Sequence, residues 1–404
     1  MKRTVVLIVT VAVLVICMGG LLLFGFSDRN SGNHIGDKKT SSTKEEPVTV
    51  TIGSAGDIIL HDPFIKNPVY RSEGEYDYSK CFEEISGIYN SFDYMVVNLE
   101  TTLAGKEAGY RGYPVFNSPE VIAANLKESG VDMFLQANNH IYDSGKDGFL
   151  HTGNYLKDNG YSFTGIRTSE EEDPYLIENI KGIKVGFINY TYETPYSGGK
   201  AVNANLVDES VAPLLNSFDP ADTEKFYAEF ESRIKEMRDK GAQFIIFYPH
   251  WGNEYELKQC DYQEEMAQRL CNMGVDAIIG SHPHVVQPVS VITSENGKHE
   301  MFCAYSMGNQ LSNQRRAYIP MMSDGHTEDG IIFSLEITRD ENGETSLTGV
   351  SYIPTWVSME SGSVHCIVRA DGSDDESAKS SKSRTDSIVG EGMKQASEVF
   401  ENRK

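Results

Sequence analysis

The chain has 404 residues, 39% of them hydrophobic and 10% aromatic, enough for one large domain or two ordinary ones with a real core. Its 59 acidic residues outnumber 36 basic ones, giving a formal net charge of −23. That balance excludes nucleic acid as a partner, because phosphate backbones need a basic footprint. The acidity itself points to solubility.

The first element is an uncharged run, VVLIVTVAVLVICMGGLLLFGF, residues 5–26. At about 1.5 Å per residue a helix of that length crosses a hydrocarbon core of about 30 Å. Lys2 and Arg3 precede it, so the positive-inside rule leaves the N-terminus in the cytoplasm and the rest of the chain outside the cell. The run is longer than a signal-peptide core and no Ala-x-Ala site follows it. Ile16, rather than a small residue, precedes Cys17. The expectation is an uncleaved single-pass membrane anchor at residues 1–26. Residues 27–47 are polar and aperiodic and read as a flexible tether.

The folded body is expected over residues 48–370. Strands are predicted at VTVTIGSAG, DYMVVNLE, VDMFLQAN, KVGFINYT, QFIIFYPHW, VDAIIGSH, MFCAYSMG, GIIFSLEIT and LTGVSYIP. Helices are predicted at PEVIAANLKESG, DGFLHTGNYLKDNG, Asp222 to Gly241 and DYQEEMAQRLCNMG. Strand–helix alternation with near-continuous apolar strands implies an α/β fold with covered sheets. The strands from Met301 onward lack intervening helices and suggest a second, mixed or antiparallel sheet. Residues 371–404 are polar and expected to be disordered, with a short helix near Met393 to Phe400. Cys81, Cys260, Cys271, Cys303 and Cys366 show no metal-binding or disulfide spacing, so free thiols are expected.

The residues at the carboxyl ends of the apolar runs are chemically alike. Asp57 and His61 come in GDIILHD, Glu100 in NLETTL, and Asn138, Asn139 and His140 in ANNHIYDSG. His250 opens HWGNEY, and His282 and His284 lie in GSHPHVVQPV. Five strands each deliver an oxygen or nitrogen ligand at the carboxyl end, where α/β sheets form their sites. One strand-end His is ordinarily a structural residue, but half of the chain's ten His fall at such positions. Mixed carboxylate, amide and imidazole donors suit two divalent ions of the Mn, Fe or Zn kind. Such a pair lowers the pKa of a bound water, and the hydroxide so formed attacks a phosphorus or carbonyl centre. An uncoordinated imidazole can then protonate the leaving group.

GDIILHD, NLETTL, ANNHIYDSGKDGF, HWGNEY, GSHPHVVQPV and YSMGNQ, in that order, resemble the CapA family of bacterial poly-γ-glutamate capsule proteins, within the calcineurin-like metallophosphatase superfamily. The resemblance covers about Val50 to Gln310 and implies a four-layer α/β/β/α sandwich. It makes Asp57 a metal-binding or bridging catalytic residue and His140 the acid. Glu100, Asn139, His250, His282 and His284 become metal ligands, and Gly308 and Asn309 structural. The superfamily's first motif is Asp-x-His, whereas His61 comes four residues after Asp57 and would ligate from the side or not at all. Glu100 stands for an aspartate, and Asn138 for a glycine. The implied function is a metal-dependent hydrolase in capsule synthesis, export or attachment. Its substrate would be an anionic capsule polymer or a phosphoester, and other capsule-synthesis membrane proteins its partners. The alternative is a non-catalytic component of a capsule complex. Arg111 and Arg315, in loops beside the motifs, and Asn138 are the candidate substrate contacts.

Overall fold

A computed structural model of the chain describes residues 46–359 and 364–403. The expected anchor and nearly all of the tether fall outside the described residues. Among the described residues no helix is long and apolar enough to cross a membrane.

Two mixed sheets carry the architecture. The strand Val48–Ile58 lies in the middle of the first. On one side it pairs in parallel with Tyr94–Leu99, followed by Met133–Leu135 and Ser162–Thr164, also parallel. On the other it pairs antiparallel with Asp329–Arg339, followed by Thr345–Met359 and His365–Arg369. Asn309–Leu311 joins its carboxyl end in parallel, with Asp57 opposite Asn309. The second sheet runs Ser217–Phe218, Ile183–Tyr192, Phe244–His250, Ala277–Ile279, Glu300–Ala304, Val289–Thr293, and Leu176–Ile180 pairs with Ile183–Tyr192.

The late strands therefore do not make a sheet of their own, contrary to the expectation from their spacing. Glu300–Ala304 extends the second sheet in parallel with Ala277–Ile279. Asp329–Arg339 completes the first, from Arg339 opposite Val48 to Ile332 opposite Ala55. The reason is that a central strand has two edges of backbone donors and acceptors to satisfy, and the helix-linked strands occupy only one.

The apolar runs are explained by burial on both faces. Along Phe244–His250, Phe244, Ile246 and Tyr248 enter a core shared with Val50, Ile52, Val96 and Leu135 of the first sheet. The alternating Ile245 and Phe247 point away, onto Phe226 and Phe230 of helix Thr223–Asp239 and Met266 and Leu270 of helix Asp261–Asn272. The outward face of the first sheet packs Met95, Val97 and Phe134 against Ile122 and Leu126 of helix Val121–Glu128. The order is helices, sheet, sheet, helices.

The C-terminal segment corrects the reading of a disordered tail. Residues Glu376–Phe400 form one helix. Its buried positions are Ala378, Ser381, Thr385, Val389, Met393, Ala396 and Phe400, spaced three or four apart as one helical face requires. Small or hydroxylated side chains (Ala378, Ser381, Thr385, Ala396) make up much of that face, so composition hides the stripe. Val389, Met393, Ala396 and Phe400 join the inter-sheet core. The Asp375 carboxylate caps the helix, accepting from Ser377 N at 2.7 Å and Ala378 N at 3.1 Å. Gly392 permits the close approach, since a Cβ there would lie 2.2 Å from the Val289 carbonyl oxygen. Cys81, Cys260, Cys271 and Cys303 are free thiols.

Candidate metal centre

The carboxyl ends of parallel strands from both sheets meet at one place. Asp57 donates its N–H to Gly308 O at 3.0 Å. That contact needs Gly56, whose Cβ would stand 2.0 Å from the same carbonyl oxygen. Asp57 Oδ1 accepts from Asn98 Nδ2 at 2.7 Å. Glu100 comes directly after its strand and donates its N–H to Ile58 O at 3.0 Å. His250 closes its own strand, with Nδ1 3.0 Å from Ser281 Oγ and Nε2 3.0 Å from Asn139 Oδ1. Asn189 of the second sheet holds the Asn139 loop in place, accepting from Ala137 N at 2.6 Å.

His282 and His284 leave the end of Ala277–Ile279 through a left-handed turn, with φ of 100° and 57°. Such angles are costly for non-glycine residues and persist where the surroundings impose them, often at functional sites. The turn sends the two imidazoles apart, with ring centroids separated by 6.0 Å. His282 falls with Glu100 and His250, and His284 with Asp57 and Glu100; within each triad the ligand atoms lie within 4.8 Å of one another. Glu100 belongs to both. Glu100, not Asp57, is the carboxylate common to both triads, and every member of both triads is buried.

Three polar atoms of this cluster are not satisfied among the described residues. Both oxygens of Glu100 and Nδ1 of His282 are buried with no hydrogen-bond partner among the described residues. Imidazole nitrogens of His250 and His284 stand 3.5 and 3.8 Å from Glu100 Oε1. Burial, reinforced by the Asp57 carboxylate, pushes Glu100 well above the usual carboxylate range. Burial and neighbouring imidazoles hold His250 and His282 far below the ordinary histidine value, so both are neutral lone-pair donors. His284 is opposite: burial pulls it down, but Glu100 and Asp57 outweigh this and raise it to about 10. Its Nδ1 faces Asp57 Oδ2 at 3.0 Å and Asn309 Oδ1 at 3.1 Å, which leaves Nε2 as the ligand nitrogen. Buried donor atoms without partners are expensive unless a cation completes them. The donor set fits divalent cations, which the two triads would hold with Glu100 common to both.

Beside the cluster His140 is held differently. Its Nδ1 lies 2.7 Å from Asp143 Oδ2, which also accepts from Phe116 N at 2.7 Å. Asn203 Nδ2 donates to Asp143 Oδ1 at 3.2 Å and sits 3.4 Å from His140 Nδ1. With Nδ1 bound to a carboxylate, Nε2 is the nitrogen left for chemistry. His140 and His284 both line a cavity of about 430 Å³, along with His61, Glu254 and several aromatic side chains.

Four sequence candidates do other work. His61 stays outside both triads; its Nδ1 accepts from Asn313 N at 3.3 Å, and burial together with nearby His284 pulls it down to about 3. The added residues between Asp57 and His61 carry it onto the cavity wall. Asn138 spends its amide on backbone, donating to Leu99 O at 3.1 Å and accepting from His140 N at 3.1 Å. Arg111 donates to Ala108 O, Gly109 O and Ser144 Oγ, bracing the loop that carries Asp143. Arg315 donates to Val357 O and pairs with Glu328 at 3.5 Å. Neither arginine lines the cavity. The reading from sequence missed Asn98, Asp143 and Asn203. Asp143, three residues after His140, carried a usable signal; Asn203 carried none.

Residues 51–314, well over half of the chain, match the family described as "Bacterial capsule synthesis protein PGA_cap". The chain is 25% identical over 276 residues to the capsule biosynthesis protein CapA of Bacillus anthracis, covering 67% of this chain and 61% of that protein. It is 28% identical over 239 residues to the PGA biosynthesis protein CapA of Bacillus subtilis (strain 168), covering 58% and 57%. It thus spans about three fifths of the length of these relatives. Among solved structures, the calcineurin-like phosphoesterase YfkN from Bacillus subtilis superposes with a TM-score of 0.39 at 12% identity, over 87% of this chain and 99% of that one. The Thermus thermophilus sulfate thiohydrolase SoxB in complex with glycerol gives 0.37 at 13% identity, over 73% and 42%. Superpositions that loose carry no argument about chemistry. The extent of the family match does: this chain belongs to the bacterial capsule synthesis protein PGA_cap family.

Proposed function

We propose that the protein is a metal-dependent hydrolase of capsule biosynthesis, with the four-layer body of a calcineurin-like metallophosphatase. Residues 5–26 hold it in the cell membrane with that body outside, beside other capsule-synthesis membrane proteins. The observation that carries the enzymatic reading is Glu100, a buried carboxylate common to two candidate ligand triads and, among the described residues, without a hydrogen-bond partner for either oxygen. Asp57 and His284 complete one triad, His250 and His282 the other. Asn139 Oδ1, 3.0 Å from His250 Nε2, is at hand as a further oxygen ligand. When bound, two Mn, Fe or Zn ions supply Lewis acidity to a phosphoryl or acyl oxygen and lower the pKa of a water.

The chain's own residues supply the rest. Asp143 fixes the His140 ring so that Nε2 holds or delivers a proton at the leaving atom. Among the described residues no lysine or arginine lines the cavity, so the attraction for an anionic substrate comes from the bound cations. The substrate is the capsule polymer, poly-γ-glutamate or a relative, or a phosphoester of its assembly. The purified protein, analysed for metal and assayed with poly-γ-glutamate and bis(p-nitrophenyl) phosphate, tests this. Two transition-metal ions per chain and hydrolysis of one substrate are expected. Absence of bound metal, or metal without hydrolysis of either, overturns it.

A further inference from the structure

The wall of the cavity carries chemistry that the metal cluster does not use. Glu254 lines it, exposed, and among the described residues no hydrogen bond or ion pair engages its carboxylate. Three phenol rings line the same cavity: Tyr113, Tyr255 and Tyr318. Tyr113 and Tyr318 are 73% and 58% exposed, a high solvent exposure for large rings. Tyr255 has a left-handed backbone, φ 65°, and its ring centroid lies 6.2 Å from that of His284. Bulky residues adopt that conformation only where surrounding structure imposes it. Its N–H is anchored to Pro283 O at 2.8 Å, within the turn that presents both cluster histidines.

A carboxylate with no hydrogen-bond or ion-pair partner among the described residues, in a cavity lined by phenol rings, is an environment for an organic cation: ring faces attract an ammonium through their quadrupole, and the carboxylate adds a charge. The same wall repels a polyanion, and among the described residues no lysine or arginine lines the cavity to offset that. We propose that Glu254, with Tyr113, Tyr255 and Tyr318, forms a subsite for a primary ammonium group of the substrate. The cluster is then offered the amine-bearing end of a chain and not the interior of a polycarboxylate. This rests on the cavity being the substrate site of the hydrolase described above. A chain end that bears an ammonium and a carboxylate a few bonds apart places the first on Glu254 and the second toward the cations. An interior unit has only carboxylates and meets Glu254 with repulsion.

Calorimetric titration of the metal-loaded, full-length protein with γ-glutamylglutamate and with its N-acetyl derivative tests the assignment. Acetylation removes the positive charge and is expected to weaken binding about tenfold. In Glu254→Gln the two probes should bind within about twofold, and in Glu254→Lys the preference should invert. Glu254 is exposed, so both variants should keep the parent's thermal midpoint and metal content. Equal affinities in the parent, discrimination that survives in Glu254→Gln, or no binding of either probe would overturn the subsite. So would metal loss in Glu254→Gln, which would make Glu254 a ligand. Hydrolysis of bis(p-nitrophenyl) phosphate is scored separately. Turnover without amine discrimination removes the subsite and leaves the hydrolase, whereas discrimination without turnover leaves the subsite and removes the hydrolase.

Discussion

Two buried carboxylates in the first sheet region show the difference between structure and site. Asp329 is met by Arg384 from the C-terminal helix, with Nε to Oδ2 at 2.7 Å and Nη2 to Oδ1 at 2.6 Å. Glu100 is equally inaccessible, and neither of its oxygens has a hydrogen-bond partner among the described residues. Burial raises both carboxyls, Asp329 to about 6 despite the pull of Arg384, and Glu100 well beyond its ordinary range. The desolvation cost is similar in kind. At Asp329 the chain supplies its own cation. At Glu100 it supplies imidazoles and another carboxylate, which is an arrangement for a cation from outside.

The largest effect should come from deleting the unmatched carboxylate. Glu100→Ala removes the member common to both triads, so metal analysis should find at most one ion per chain. Hydrolysis should fall by about 10³-fold or more. Stability should move the other way in the absence of metal. The chelator-treated variant should melt above the chelator-treated parent, because an unsatisfied buried group is gone. In the untreated parent, metal at a hundred times its Kd adds about 2.7 kcal/mol, so chelation should lower its thermal midpoint and barely shift that of the variant. Equal melting of the two chelated proteins would show that Glu100 is satisfied in some other way.

Breaking the matched carboxylate should do the converse. Arg384→Met leaves Asp329 buried and unpaired at a cost of about 3–5 kcal/mol, with metal content unchanged. Because the folded-state pKa of Asp329 lies at about 6, above its ordinary 3.8, this group favours the fold while protonated in both states. That contribution is full below pH 3.8 and lost as pH rises through 6. The deficit of Arg384→Met in denaturant melts should therefore be widest above pH 6 and narrow toward pH 4. A deficit independent of pH would place the stabilisation in helix packing and not in the ion pair.

The same contrast decides what could be read from residue order. Candidate ligands at strand ends were legible because each apolar run stops sharply and Asp, Asn, Glu or His comes close behind. Family resemblance in six motifs then assigned their roles. Three things were not legible. The C-terminal helix hides its buried face behind Ala378, Ser381 and Thr385, whose burial depends on the strands it covers. Arg111 and Arg315 are basic loop residues beside motifs, but backbone carbonyls and Glu328 claim them, and only tertiary structure shows those acceptors. His61 is one short segment too far from Asp57 to enter a triad, a matter of ångströms that spacing alone could not decide.

His140 sharpens the comparison from the satisfied side. Its ring is positioned by a carboxylate that is itself fully hydrogen-bonded, so His140→Ala should keep both metal ions and lose about 10²-fold in kcat. Loss of metal along with activity would instead make His140 a ligand.

The smallest effect belongs to Asn203, one shell further out. It stands at the tip of the hairpin Ala201–Val202 and Asn205–Leu206, with φ 47°, and Ala204 beside it has φ 58°. Val202 and Val207 pack with Ile141 and Tyr142, next to His140 in the chain, so the hairpin is docked on that loop. Asn203→Gly tolerates the left-handed backbone and deletes only the amide that reaches Asp143. The expected result is a kcat about tenfold lower, with KM, metal content and thermal midpoint at parental values. Asn203→Asp keeps the shape but sets an acceptor against the Asp143 carboxylate, and should lose more. If the glycine variant instead lowered stability and raised KM with kcat intact, Asn203 would be a packing residue of the hairpin, and the positioning of His140 would rest on Asp143 and Phe116 N alone.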